Sequence, residues 1–222
     1  MALNTLESCR GFRMLALVPG GNVARDLALF RRRIFAEFGE ASALAYPECV
    51  PLACGCLGGL PRPASRPSTP ALRGRGSGPD PLARAWDGID GGFELGALAR
   101  RDACLCLEVE GPLLELVAAS GRFLAGSGIE AMPDPPLALG LGFLLCRFPI
   151  PGLEEDEALL RVAALAPPRG RFLDSSLVLY RITRGSAPWS ALAWGEEARA
   201  HRRSGPRSAA AGPLPSNPAG ER

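Results

Sequence analysis

The chain has 222 residues, 47% of them hydrophobic, with 25 basic residues against 23 acidic ones. That is enough chain and enough apolar surface for one substantial core, in one domain or in two lobes sharing a sheet. The net charge of +2 creates no general field for nucleic acid, so no DNA partner is expected, and no apolar run reaches the ~20 residues a membrane span needs.

Every basic side chain is Arg and none is Lys. A coding bias accounts for this, although the planar guanidinium also suits phosphate. The 27 Gly and 22 Pro make about 22% of the chain, against a usual share of roughly 12%, which predicts long irregular segments. Seven cysteines stand at Cys9, Cys49, Cys54, Cys56, Cys104, Cys106 and Cys146. The odd count, with no apolar signal core near the start, predicts reduced thiols and a cytoplasmic location.

In chain order, residues 12–19 predict a first strand, stopped by Pro19-Gly20-Gly21. Asn22 is the expected cap of a helix whose stripe is Val23, Leu27, Phe30, Ile34 and Phe38, with Gly39 as its stop. Arg31-Arg32-Arg33 is expected on the solvated face, with an anion-binding patch as the minor alternative. Residues 45–53 predict a short strand interrupted by Pro51, which places it at an edge or turns residue 51 away from a partner.

Residues 61–81 carry six prolines among Arg, Ser and Gly and predict a flexible, locally basic insertion. Beyond it, residues 92–99 and 103–109 predict a hairpin turning at Arg100-Arg101-Asp102. Pro112 opens a helix lined by Leu113, Leu116, Val117, Phe123 and Leu124. Residues 137–146 predict a buried strand entered through Pro135-Pro136. Residues 154–165 predict a helix whose Glu154, Glu155, Asp156 and Glu157 complement its dipole. Residues 171–182 predict one last long strand, and 188–194 a short cap or final strand. Residues 195–222 are expected to be a disordered tail. The strand–helix–strand order occurs in both halves, which predicts an α+β domain over 12–194 with two similar lobes around a shared cleft.

Few residues offer chemistry. Cys54-Gly55-Cys56 is too tight for a metal knuckle and has no histidine near it, so no metal is expected. Cys104 and Cys106 share a strand face and are expected to fill core. His201, the single histidine, falls in the polar tail beside Arg202 and Arg203. Gly20-Gly21 before a helix is a weak anion signal. No nucleophile elbow and no phosphate-binding loop is present, and no cofactor is implied.

Three stretches in this order carry a resemblance. They are Met14-Leu15-Ala16-Leu17-Val18-Pro19 with the following helix and Tyr46–Leu52, then Pro135-Pro136-Leu137-Ala138-Leu139-Gly140, then Phe172–Arg181. The chain resembles the 2H phosphoesterase superfamily, which includes the 2′-5′ RNA ligase-like proteins and cyclic phosphodiesterases. The resemblance implies antiparallel sheets with helices packed outside a central cleft. It also implies two His-x-Thr motifs, one histidine acting as base and the other as acid while the threonines hold phosphate. Here the first motif falls on Cys49-Val50-Pro51 and the second on Pro136-Leu137-Ala138.

Neither histidine nor threonine survives at Cys49, Pro51, Pro136 or Ala138, so the family's acid–base chemistry is not expected. The first expectation is therefore a degenerate, catalytically inactive protein that binds a nucleotide, an RNA end or a protein. Arg13, Arg147, Tyr180 and Arg181 are its candidate phosphate ligands. The alternatives are an active phosphoesterase using Cys49 with an arginine, and a structural protein that binds partners through the basic insertion.

Overall fold

A computed structural model of the protein describes residues 12–45, 47–57, 80–101, 104–132, 142–184 and 192–202. The predicted insertion, but for its last two residues, and Pro136 and Ala138 lie outside them.

The first strand, β1, spans Phe12–Pro19, and the helix after it, α1, spans Gly21–Phe38. Gly20 is the N-cap, so Asn22 lies inside the first turn and is not the cap. The Gly20 N–H donates to the Asp174 carbonyl at 2.9 Å. A Cβ on Gly20 would stand 2.2 Å from the Asp174 carboxylate, so a larger residue there would push that side chain aside. Gly39 ends the helix at φ 67, donating back to the Phe35 carbonyl. Leu27, Phe30 and Ile34 of the predicted stripe are buried.

A single short turn of helix, α2 (Ser42–Ala45), leads into β2 (Val50–Leu57). After a 3₁₀ turn at Ala83–Trp86 come β3 (Phe93–Arg101) and β4 (Cys104–Glu110), which pair antiparallel as the predicted hairpin. Then follow α3 (Leu113–Gly126), β5 (Ile129–Ala131), β6 (Gly142–Arg147) and α4 (Glu155–Ala164). The chain continues as β7 (Gly170–Phe172), β8 (Ser175–Arg184) and β9 (Leu192–His201).

The described strands form two antiparallel sheets, ordered β5-β2-β1-β8-β9 and β6-β4-β3-β7. The protein is a two-lobed α+β fold. One sheet holds the strand–helix–strand unit β1-α1-β2, whereas after β4 the chain passes through α3 and adds β5 to that same sheet before it returns to the other sheet as β6. β1 takes its second neighbour, β8, from the far part of the chain, whereas β4 takes β3 from its own hairpin. Pro51 is tolerated because β5 reaches only Gly55–Leu57, which leaves β2 at an edge where Pro51 stands.

Two expectations are corrected. The last strand is two strands: β7 lies on β3 in one sheet, and after Leu173 and Asp174 the chain crosses to the other sheet as β8. The chain beyond Trp194 is not a tail over its first residues, because β9 continues to His201 along β8. Its end is fastened from the side as well. The Trp86 indole donates to the Ala200 carbonyl, and Arg202 donates to the Ile89 carbonyl while lying over the Trp86 ring.

The same irregularity recurs in both lobes. In β2, Leu15 faces Ala53 and Ala16 faces Pro51, which leaves Leu52 with no opposite residue. In β6, Leu105 faces Cys146 and Cys106 faces Leu144, which leaves Leu145 unmatched. Each is a one-residue bulge, and in each the doubled pair (Leu52 with Ala53, Leu145 with Cys146) joins the larger apolar core. The bulge in β2 returns Cys54 to the face that Cys49 occupies.

Candidate functional site

The site that the sequence points to is the seam between the two sheets, and alternation decides what fills it. On β1, Phe12, Met14 and Ala16 point to the seam, while Leu15 and Leu17 point to the larger core. On β8 the seam receives Val178, Tyr180 and Ile182. The second sheet contributes Cys104 and Cys106 from β4 and Leu144 from β6. Cys49 and Cys54 complete a buried apolar cluster, with Val18, Cys56, Met132 and Trp194 packed around it. The seam is therefore closed by thiols and hydrocarbon. Each buried thiol acts there as a small apolar group, as expected for Cys104 and Cys106.

Cys49 is 1% exposed, and burial pushes its thiol pKa well up, opposed only in part by the nearby Arg31 guanidinium. The thiolate that an active enzyme built on Cys49 needs is thus disfavoured. Burial also pushes Cys54 and Cys146 from an ordinary 9.0 up to about 12, and raises the Tyr180 phenol. These groups keep their protons in the fold while the unfolded chain releases them. Their contribution to stability is full below about pH 9 and is lost as pH rises toward 12. The urea midpoint is expected to fall steadily from about pH 8 to about pH 10.5. A thiol reagent at neutral pH is expected to leave Cys49, Cys54 and Cys146 unlabelled until urea is added. A flat midpoint together with rapid native labelling would contradict the closed seam.

The candidate phosphate ligands do not converge. Tyr180 faces the seam, 6.0 Å from the Trp194 ring in an edge-on contact. Arg13 and Arg181 are register partners on the opposite face of the same sheet. Both hold Glu197: Arg13 donates to its two carboxylate oxygens at 2.5 and 3.1 Å, and Arg181 lies 3.1 Å from one of them. Glu197 is the extra residue of a bulge in β9, since Leu179 faces Ala198 and Tyr180 faces Glu196. The pair is thus committed to a carboxylate of the chain itself. Arg147 lies on β6 opposite Cys104.

The described part of the second motif strand gives a further geometric constraint. Counting back from the two bulges matches Cys49 with Gly142 and Pro51 with Leu144. Gly142 admits no side chain, because a Cβ there would meet the Leu107 carbonyl oxygen at 2.3 Å. Pro136 and Ala138 themselves fall outside the described residues.

One polar group was misplaced by the sequence reading. His201 is not in a tail; it stands on β9 opposite Ser176, and its Nδ1 is hydrogen-bonded to the Ser176 hydroxyl at 2.9 Å. Ser176 shares the seam face of β8, so Ser176, His201 and the Arg199–Glu196 pair form a polar rim at one end of that face. The signal that would have found His201 is weak: Ala198 and Ala200 alternate with polar residues after Trp194.

Other polar groups are structural. Arg31 of the arginine run is buried rather than solvated, and it donates to Glu48 at 3.0 Å. Glu155 bonds Arg100, and Glu157 lies 3.8 Å from Arg161, so the acidic start of α4 is occupied by arginines. Among the described residues no three His, Cys, Asp or Glu side chains are grouped to hold a metal, and no helix is long and apolar enough to cross a membrane.

Compared with known proteins, the chain matches no family model, and no curated protein matches it.

Proposed function

We propose that the chain is a 2H phosphoesterase-like protein that has no catalysis of that kind and serves as a binder of a nucleotide or RNA end. The observation that carries this reading is the seam. Cys49, at the first motif position, is packed in a buried cluster with Cys54, Cys104, Cys106, Leu144, Met14 and Tyr180. General acid–base help is worth ~10²–10⁴-fold, and a seam of protonated thiols and hydrocarbon supplies none of it. The matching one-residue bulges in β2 and β6 support the ancestry. The polar rim supports the binding function: His201 is exposed on the seam face, with Arg199, which a phosphate would have to share with Glu196, beside it.

Two measurements test the reading. Incubation with 2′,3′-cyclic nucleotides and short RNAs bearing cyclic phosphate ends is expected to give no turnover above buffer. Titration with the same ligands is expected to show binding that weakens on His201→Ala or Arg199→Ala. Loss of a charge-assisted contact of this kind costs roughly 1.5–3 kcal/mol, about ten- to a hundredfold in affinity. Turnover would overturn the inactive reading. Absence of any binding would remove the nucleotide and leave a protein partner.

A further inference from the structure

Away from the seam, a cavity of about 190 Å³ opens between α1 and the segment that follows α4. Leu29 and Phe30 give it an apolar side, and Arg33, Arg169 and Asp26 stand around it. We propose that this cavity binds a compact organic carboxylate, with its charge between Arg33 and Arg169 and its apolar part against Leu29 and Phe30.

Four observations converge on that ligand class. Neither Arg33 nor Arg169 has a carboxylate partner among the described residues, although most other arginines of the fold do. Arg33 spends one donor on the Leu165 carbonyl at 3.3 Å, which anchors its head at the cavity and leaves the rest of the fork for a ligand. The apolar side matters too: Leu29 is 43% exposed at this place although its neighbour Phe30 is fully buried. An apolar ligand group covering Leu29 gains on the order of 25 cal/mol per Å².

The fourth observation is the course of the backbone. Ala166, on the cavity wall, takes the left-handed conformation in which helices often end, at φ 54, one residue past the C-cap of α4. It turns the chain so that Pro168 and Arg169 face α1 across the cavity.

Size and charge narrow the class. A cavity of about 150 Å³ is known to hold benzene, so this one suits a single ring or a short branched chain, not a nucleotide. Asp26 on the same wall opposes a dianion more than a monoanion, which favours carboxylate over phosphate. Of the arginine run, Arg31 is buried against Glu48 and Arg33 is the member that lines this cavity.

The test uses the full chain with benzoate as probe, and benzamide and inorganic phosphate as controls, followed by calorimetry and amide NMR shifts. Benzoate is expected to saturate with a Kd of about 1 mM or tighter, and to move the amides of Ala166 and Arg169. Benzamide and phosphate are expected to bind at least about tenfold more weakly. Arg169→Ala, at an exposed position, is expected to weaken benzoate by about tenfold with an unchanged urea midpoint, and Arg169→Lys to restore part of the loss. No saturation by benzoate, equal binding of benzamide, or unchanged affinity in Arg169→Ala would overturn the proposal.

Discussion

Replacing Glu197 with alanine is expected to destabilise the fold by about 3 kcal/mol, although the residue touches no catalytic group. Arg13 is 6% exposed and directs two donors at the Glu197 carboxylate. Its cross-strand partner Arg181 approaches the same carboxylate from the neighbouring strand. Removing the carboxylate leaves a buried guanidinium without a counter-charge, beside a second one in register. Arg13→Leu combined with Glu197→Leu removes both charges and is expected to recover most of the loss, because an apolar pair in such a place is often neutral. Urea unfolding of the three proteins measures this. A loss below about 1 kcal/mol for Glu197→Ala would show that the pair is wetter than its burial implies.

The second large effect decides the functional reading. Cys49→His puts an imidazole where the proposed ancestry would have a first catalytic histidine. In an open cleft this would be tolerated and would add activity. In the closed seam Cys49 is 1% exposed among Val18, Cys54 and Tyr180, so the ring overpacks the cluster and buries a polar nitrogen. Overpacking costs about 1–3 kcal/mol, and an unsatisfied buried nitrogen costs about as much again. The variant is expected to lose roughly 2–5 kcal/mol of stability and to hydrolyse no cyclic phosphodiester. A stable variant with measurable turnover would mean that the seam opens in solution, and the inactive reading would fall.

What the sequence made legible follows physical period. The stripe Leu27, Phe30 and Ile34 has helical spacing and is buried as a stripe. The alternation on β1 and β8 likewise separates seam from core. The misses occur where tertiary pairing overrides local signal. Residues 195–201 are Gly, Glu, Glu, Ala, Arg, Ala and His, which have poor strand propensity, yet β9 forms because β8 offers it a full ladder. The crossing at Leu173-Asp174 is marked only by Asp174, Ser175 and Ser176, turn-favouring residues between two apolar stretches, and the turn is held by the Gly20 N–H far away in the chain.

The candidate site was legible only as an absence. Cys49 and Pro51 could be recognised as the wrong residues for acid–base work. That Arg13 and Arg181 face away from the seam required the register, and that Glu197 neutralises them required a strand that propensity hides. The placement of Leu144 and Gly142 depended on a bulge, which shifts faces by one residue with no signature in composition.

The pairing of β1 with β8 has a kinetic consequence. β1 is made first, but its second partner, β8, belongs to the far end of the chain, and the Arg13–Glu197 pair closes across 184 residues. Loops of that length bring slow folding, because the entropy of closure is spent before the contacts form. During synthesis β1 and β2 can pair early, yet β1 keeps one bare edge until the last strands emerge. That edge, flanked by Phe12, Met14 and the thiols of the seam, is the surface a nascent chain must keep from other chains, and refolding yield should fall with protein concentration.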